Sequence, residues 1–172
     1  MQEYCLRWGY SFHSLHLDGD VVGLRSRVIS KLIPNYDAVV HVDADCLLTN
    51  LNQSIESLMQ GDWHVIASGN GNVINDGVCI WRKCETVEIF LTKHIAGRYG
   101  DAILQDAVAL EPSLKVINPP CQAINACIPE EYGPDMPEYT RWNKGSFCLH
   151  LLAMDNQRRI ELITKHLNQI IR

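Results

Sequence analysis

The chain has 172 residues, 47% apolar and 20% charged, with a formal net charge of −5 at pH 7. That supports one globular domain over residues 1–172 with a true hydrophobic core and excludes an intrinsically disordered segment. The negative balance argues against a protein that tracks a nucleic-acid backbone, and an acidic chain that takes an anionic ligand usually does so through a local cation.

The elements expected in chain order alternate between helix and strand. Gln2 to Trp8 reads as a short helix broken by Gly9, and Tyr10 to Leu17 as extended chain. Leu24 to Ile33 carries Leu24, Val28, Ile29 and Leu32 on one helical face, and Pro34 stops it. Asp37 to Val42 contains Ala-Val-Val-His-Val, a β-branched run suited to a buried strand. Ser54 is placed to cap a helix over Ser54 to Met59. Strands are expected at Trp63 to Ala67 and Gly77 to Trp81, with Gly69 to Asn72 as a loop between them. Helices follow at Cys84 to Tyr99 and Ile103 to Leu110, then a strand at Leu114 to Ile117. Cys121 to Asn143 holds Pro129, Pro134 and Pro137 and reads as loop. Phe147 to His150 is a short strand, and Asn156 to Ile171 a helix with Ile160, Ile163, Leu167 and Ile170 on its apolar face. One α/β domain with a mostly parallel sheet is the expected architecture.

The cysteines are Cys5, Cys46, Cys79, Cys84, Cys121, Cys127 and Cys148, and no two form a CxxC pair, which sets aside a zinc framework. Cys46, Cys79 and Cys148 stand in apolar runs and read as small packing side chains. Cys121 and Cys127 are candidates for a loop disulfide, with free thiols as the alternative. No apolar run reaches the roughly 18 residues of a membrane span, and the first residues lack the blocks of a signal peptide.

Four segments can carry chemistry. In His41-Val42-Asp43-Ala44-Asp45-Cys46, a buried strand runs into two carboxylates. Ligands of open α/β sheets bind at such strand ends. Two positions apart in extended chain, Asp43 and Asp45 would face one side, and their mutual repulsion would favour a hard cation such as Mg²⁺ or Mn²⁺. The bland alternative is an Asp-rich turn. Asn75-Asp76-Gly77 precedes a strand and, taken alone, is turn chemistry. Gln105-Asp106 alone is the polar side of a helix. Gly145 lets backbone approach a phosphate, and His150 stands at a strand end where a ring nitrogen can complete a metal site.

In this order and spacing the segments resemble the GT-A-fold galactosyl- and mannosyltransferases of the Golgi, the family that includes the xyloglucan xylosyltransferases and is related to the glycogenin-like retaining transferases. Tyr4-Cys5-Leu6-Arg7-Trp8-Gly9-Tyr10 is similar to the family's Y-C-x-x-H-G-Y. The stretch from Arg25 to Asn50 resembles its K-x-x-x-L … W-x-D-A-D-A-L-x-x-N block. Asn75 and Gly77 match N-x-G, Gln105-Asp106 matches part of E-Q-D/S-A-L, and Gly145 to His150 resembles G-D-F-x-x-H-F-A-G.

The resemblance implies a Rossmann-like GT-A domain with a mostly parallel central sheet and flanking helices. It implies transfer of a hexose or pentose from a UDP- or GDP-linked sugar to a glycan hydroxyl with retention of configuration, and Mn²⁺ or Mg²⁺ as cofactor. Asp43, Asp45 and His150 would be the metal ligands. Arg27 would contact the donor, with Arg25 and Lys31 as alternative alignments. Asn75 and Gly77 would lie near the donor, Gly145 near its diphosphate, and Gln105 and Asp106 against sugar hydroxyls, with Asp106 the carboxylate placed to assist catalysis. The implied setting is the Golgi lumen, membrane-associated, with a cytosolic enzyme of similar fold as the alternative. Departures are Ser146 for the usual Asp, Leu104 for an acidic residue, and Ala153 without the following Gly. The family's first strand should precede Tyr4, where only three residues stand, which implies either a fragment or a fold without that strand whose base binding is weak or rebuilt. A catalytically weak subunit, a glycan-binding module and a metal-dependent phosphohydrolase are the competing expectations. The sequon Asn52-Gln53-Ser54 follows the acidic loop closely and is expected to be unused.

Overall fold

The computed structural model describes residues 1–16, 21–70, 73–94, 112–117, 121–128, 137–152 and 154–172. Gln105, Asp106, the helix expected at Ile103 to Leu110 and the end of the one begun at Cys84 lie outside them. The chain forms two compact units, one of Met1–Ser14, Asp43–Gln60 and Pro120–Arg172, the other of Leu15–Val42 and Gly61–Pro119.

The second unit is built on a four-stranded sheet of β1 (Ala38–Val42), β3 (Val65–Asn70), β4 (Val73–Arg82) and β5 (Val116–Ile117), in the order β1-β4-β3-β5. β4 runs antiparallel to both β1 and β3, whereas β5 is parallel to β3. The sheet is therefore mixed, which corrects the expectation of a mostly parallel one. β3 and β4 follow one another too closely for the crossover that a parallel pair requires, so the chain returns as a hairpin. Asn75, Asp76 and Gly77, expected as a turn before the strand, lie within β4. Val65, Ile66, Val78 and Ile80 are all buried, as in strands covered on both faces. Ile29 of α2 (Val21–Leu32) and Val87, Phe90 and Leu91 of α4 (Glu85–His94) join Val39, Ala67, Cys79 and Trp81 in the core. Trp81 stacks on Phe90 with centroids 6.1 Å apart. α2 passes into a 3-10 turn at Ile33–Asn35 because Pro34 cannot continue an α-helix.

The first unit holds a three-stranded sheet in the order β2 (Cys46–Leu48), β7 (Cys148–His150) and β6 (Ala126–Cys127). α1 (Gln2–Trp8) ends on Gly9 at φ 73°, a left-handed cap that costs glycine little. Tyr4 of α1 is buried edge-on against Phe147, centroids 5.8 Å apart, and its hydroxyl donates to the Gln53 carbonyl at 2.8 Å. Ser54 caps α3 (Ile55–Leu58), its side chain accepting from the Ser57 amide. The segment expected as loop after Cys121 includes a helical turn at Cys121–Ile124 and strand β6.

Asp155 caps the helix Asn156–His166. The apolar face expected for this helix is corrected in part: Ile160 and Leu167 are exposed and Leu162 and His166 buried, whereas Ile163 packs on the core as expected, and the helix ends at His166 rather than Ile171. Leu162 packs with Ile128, Leu149 and Leu151. None of the seven cysteines is in a disulfide, so no bridge joins Cys121 to Cys127. No helix among the described residues is long and apolar enough to cross a membrane.

Candidate metal centre

The centre lies where β2 begins and β7 ends. The chain leaves β1 at Val42 and turns, the Cys46 amide donating to the Asp43 carbonyl at 3.1 Å. Asp43 to Asp45 is thus a turn rather than extended chain, and the alternation expected to align the two carboxylates does not apply there. Cys46 opens β2 directly opposite His150, and the Leu151 amide donates to the Asp45 carbonyl at 3.0 Å just beyond the ladder. This pairing holds Asp45 against the last residue of β7.

His150 Nε2 stands 3.3 Å from Asp45 Oδ1. Arg159 Nη2 donates to the other carboxylate oxygen, Oδ2, at 3.0 Å. The imidazole is 1% exposed, and neither of its nitrogens has an aligned hydrogen-bond partner among the described residues. The donor atoms of Asp45, Cys46 and His150 lie within 4.8 Å of one another. Asp43, half-buried just before them, is outside that group.

The contact with His150, against the opposing effect of burial and with help from Arg159, holds the Asp45 carboxyl below its ordinary range. Burial disfavours the His150 imidazolium, but Asp45 and Cys46 outweigh it and raise the His150 pKa to about 10. Cys148, with burial, keeps the Cys46 thiol protonated well above the usual range. A buried imidazole without an aligned partner beside an ionised carboxylate is a donor set that fits a divalent cation.

The other expected site residues have these local surroundings. Arg27 is exposed on α2, and it is Arg25 that forms an ion pair with Asp76. Asn75 Oδ1 accepts from the Gly77 amide at 2.9 Å, a local turn-like contact inside β4. His41 Nδ1 lies 3.2 Å from the Asp76 carbonyl. Gly145 has φ 115°, a conformation that strains any side-chain-bearing residue, and its carbonyl accepts from Asn50 Nδ2 at 3.1 Å. Ser146, in place of the expected Asp, accepts from the Asn143 amide through Oγ at 3.1 Å, and its carbonyl accepts from Thr49 Oγ1 at 2.6 Å. Two members of the site were not singled out from sequence. Cys46 reads as one more apolar-run cysteine, although its adjacency to Asp45 is a usable signal. Arg159 carries no local signal, being one of several charges on a solvated helix.

No protein-family model matches the chain, and no curated protein matches its sequence. Among solved structures it is similar to the crystal structure of a glycosyltransferase involved in the glycosylation of the major capsid of PBCV-1, with a TM-score of 0.66 and 20% identity over 95% of this chain and 88% of that one. At that identity the likeness is one of fold: the chain has an α/β glycosyltransferase-like fold that carries an Asp–Cys–His group able to hold a metal ion.

Proposed function

We propose that the protein is a metal-dependent glycosyltransferase of GT-A type, moving a hexose or pentose from a nucleoside diphosphate sugar to a glycan hydroxyl with retention of configuration. The observation that carries this reading is the meeting of Asp45 with the buried His150 at 3.3 Å, on a chain with the fold of a glycosyltransferase. Asp45 and His150 would hold the cation, with Asp43 close by in sequence. When bound, a divalent cation acts as a Lewis acid on the diphosphate and offsets the charge that grows on the leaving group.

The chain's own residues supply placement. The β2–β7 ladder fixes the carboxylate and imidazole relative to each other, so little reorganisation is needed when charge develops. Arg159 steadies Asp45 from the outer side. In this reading Arg27, Asn75 and Gly77 serve the donor, Gly145 its diphosphate, and Gln105 and Asp106 the sugar hydroxyls. Sequence resemblance, not geometry, supports those roles and the Golgi setting.

The test is donor turnover by the purified protein across UDP- and GDP-sugars with and without divalent cation. Metal-dependent release of nucleoside diphosphate that is lost in Asp45→Asn supports the reading, and failure to bind any nucleoside diphosphate sinks it. One observation favours a catalytically weak subunit instead: Arg159 already occupies an oxygen of Asp45. Binding of nucleoside diphosphate without turnover of any donor would select that alternative.

A further inference from the structure

We propose that Cys46 is a third protein ligand of this centre, which makes it selective for a borderline cation of the Zn²⁺ or Co²⁺ class over Mg²⁺ or Mn²⁺. The inference rests on the metal reading above and replaces the all-oxygen-plus-imidazole chemistry that an aspartate pair would offer.

The register of the first unit's sheet carries the geometry. Cys46 and His150 are Cα partners across the antiparallel β2–β7 pair, and directly opposite residues project from the same face. Asp45 immediately precedes Cys46, so one turn of chain delivers an oxygen and a sulfur to the imidazole. The three donor atoms lie within 4.8 Å of one another. Ligands of a tetrahedral zinc ion at bond lengths of ~2.0–2.3 Å are about 3.5 Å apart, so a small contraction closes the set. The imidazole, 1% exposed with neither nitrogen in an aligned hydrogen bond, independently points to a ligand in this place.

Donor chemistry then sets the preference. Mg²⁺ takes oxygen ligands almost exclusively, and Mn²⁺ stands lowest in the usual order of affinity for mixed nitrogen and sulfur sites. A thiolate shifts the choice toward borderline ions. Binding requires the Cys46 proton to leave for solvent as the sulfur donates its electron pair to the cation, with no change of oxidation state on either side. Three protein ligands would leave a bound cation able to take one more ligand, as in reactive rather than structural zinc sites, and a diphosphate oxygen would suit that place. The Leu151 amide, which holds the carbonyl of Asp45, supplies the kind of outer support that fixes such a ligand.

The experiment is titration of the metal-free full chain with Co²⁺, read by absorption. The expected result is a thiolate-to-cobalt charge-transfer band in the near ultraviolet, removed by Zn²⁺ but not by an excess of Mg²⁺ or Mn²⁺. Cys46→Ser should lose that band and weaken Zn²⁺ binding by at least about tenfold, while Cys148→Ser keeps the band. Six other thiols are present, so the band is assigned to Cys46 by its loss in Cys46→Ser against its retention in Cys148→Ser, and a wild-type chain that binds cobalt without the band overturns the proposal even if a variant folds poorly. Cobalt bound without a charge-transfer band, or displaced equally well by Mn²⁺, overturns the role of Cys46 and leaves the Asp45–His150 reading standing. If no divalent cation binds at all, both fail.

Discussion

Arg159 and His150 grip Asp45 from opposite oxygens, the guanidinium on Oδ2 at 3.0 Å and the imidazole by Oδ1 at 3.3 Å. A cation entering the centre must share this carboxylate with Arg159. Replacing Arg159 by Ala removes a competing positive charge and should raise divalent-cation affinity by up to about fivefold, the scale of a partly exposed ion pair. Calorimetric titration of wild type, Arg159→Ala and Arg159→Lys checks this, and weaker binding by the Ala variant would show that Arg159 chiefly orients Asp45.

Asp45→Asn keeps the shape of the side chain but removes its charge. Metal-dependent donor turnover should fall by about 100-fold or more, the usual cost of deleting one preorganised electrostatic contact. Single-turnover assays with saturating cation separate this from a simple loss of metal affinity.

Stability of the metal-free protein should depend on pH through the same pair. His150 is raised from 6.5 to about 10 on folding, so its contribution is complete below pH 6.5 and is lost as pH rises through 10. Asp45 is lowered from 3.8, so its contribution is present above that pH and is lost as pH falls through the folded value. Urea midpoints should therefore decline on the alkaline side between pH 6.5 and 10, and Asp45→Asn should flatten that decline.

Asp155 accepts from the Arg158 amide at 2.8 Å and so caps the helix that carries Arg159. Asp155→Ala should cost about 1 kcal/mol in urea unfolding, and Asp155→Ser should recover most of it. A loss much below that range would mean that packing of Leu162 alone holds the helix start.

Arg25 and Asp76 form an ion pair with only 15% and 12% of their side chains exposed. Arg25→Met removes the cation paired with a largely buried carboxylate and should destabilise the protein by about 3 kcal/mol, whereas Arg25→Met with Asp76→Leu should restore much of that. Thermal or urea unfolding of the three variants distinguishes this structural role from one confined to ligand binding.

The signals legible in the sequence were those with local causes. Gly9 stops α1 because only a left-handed residue ends it that way, and Ser54 caps α3 through its own neighbour's amide. The Val39-Val40 run made β1 because β-branched side chains suit a buried strand. The pairing of β3 with β4 was less visible, since an apolar run does not state its direction. The last helix shows the limit plainly. Its apolar Ile160 and, just beyond its end, Leu167 are exposed, while Leu162 and His166 are buried on the helix from which Arg159 reaches Asp45.

By itself the sequence determined the candidates: a strand ending in carboxylates, a late histidine, and thiols scattered through apolar runs. Only the tertiary structure decided which of them meet. Asp45 joins His150 in a group that does not include Asp43, Cys46 lands opposite His150, and Arg159 arrives from 114 residues away. The physical reason is register. Capping and strand preference act over a few neighbouring residues, but the partner of each side chain in a ladder is set by how distant strands slide against one another, and a shift of one residue would turn His150 away from Cys46.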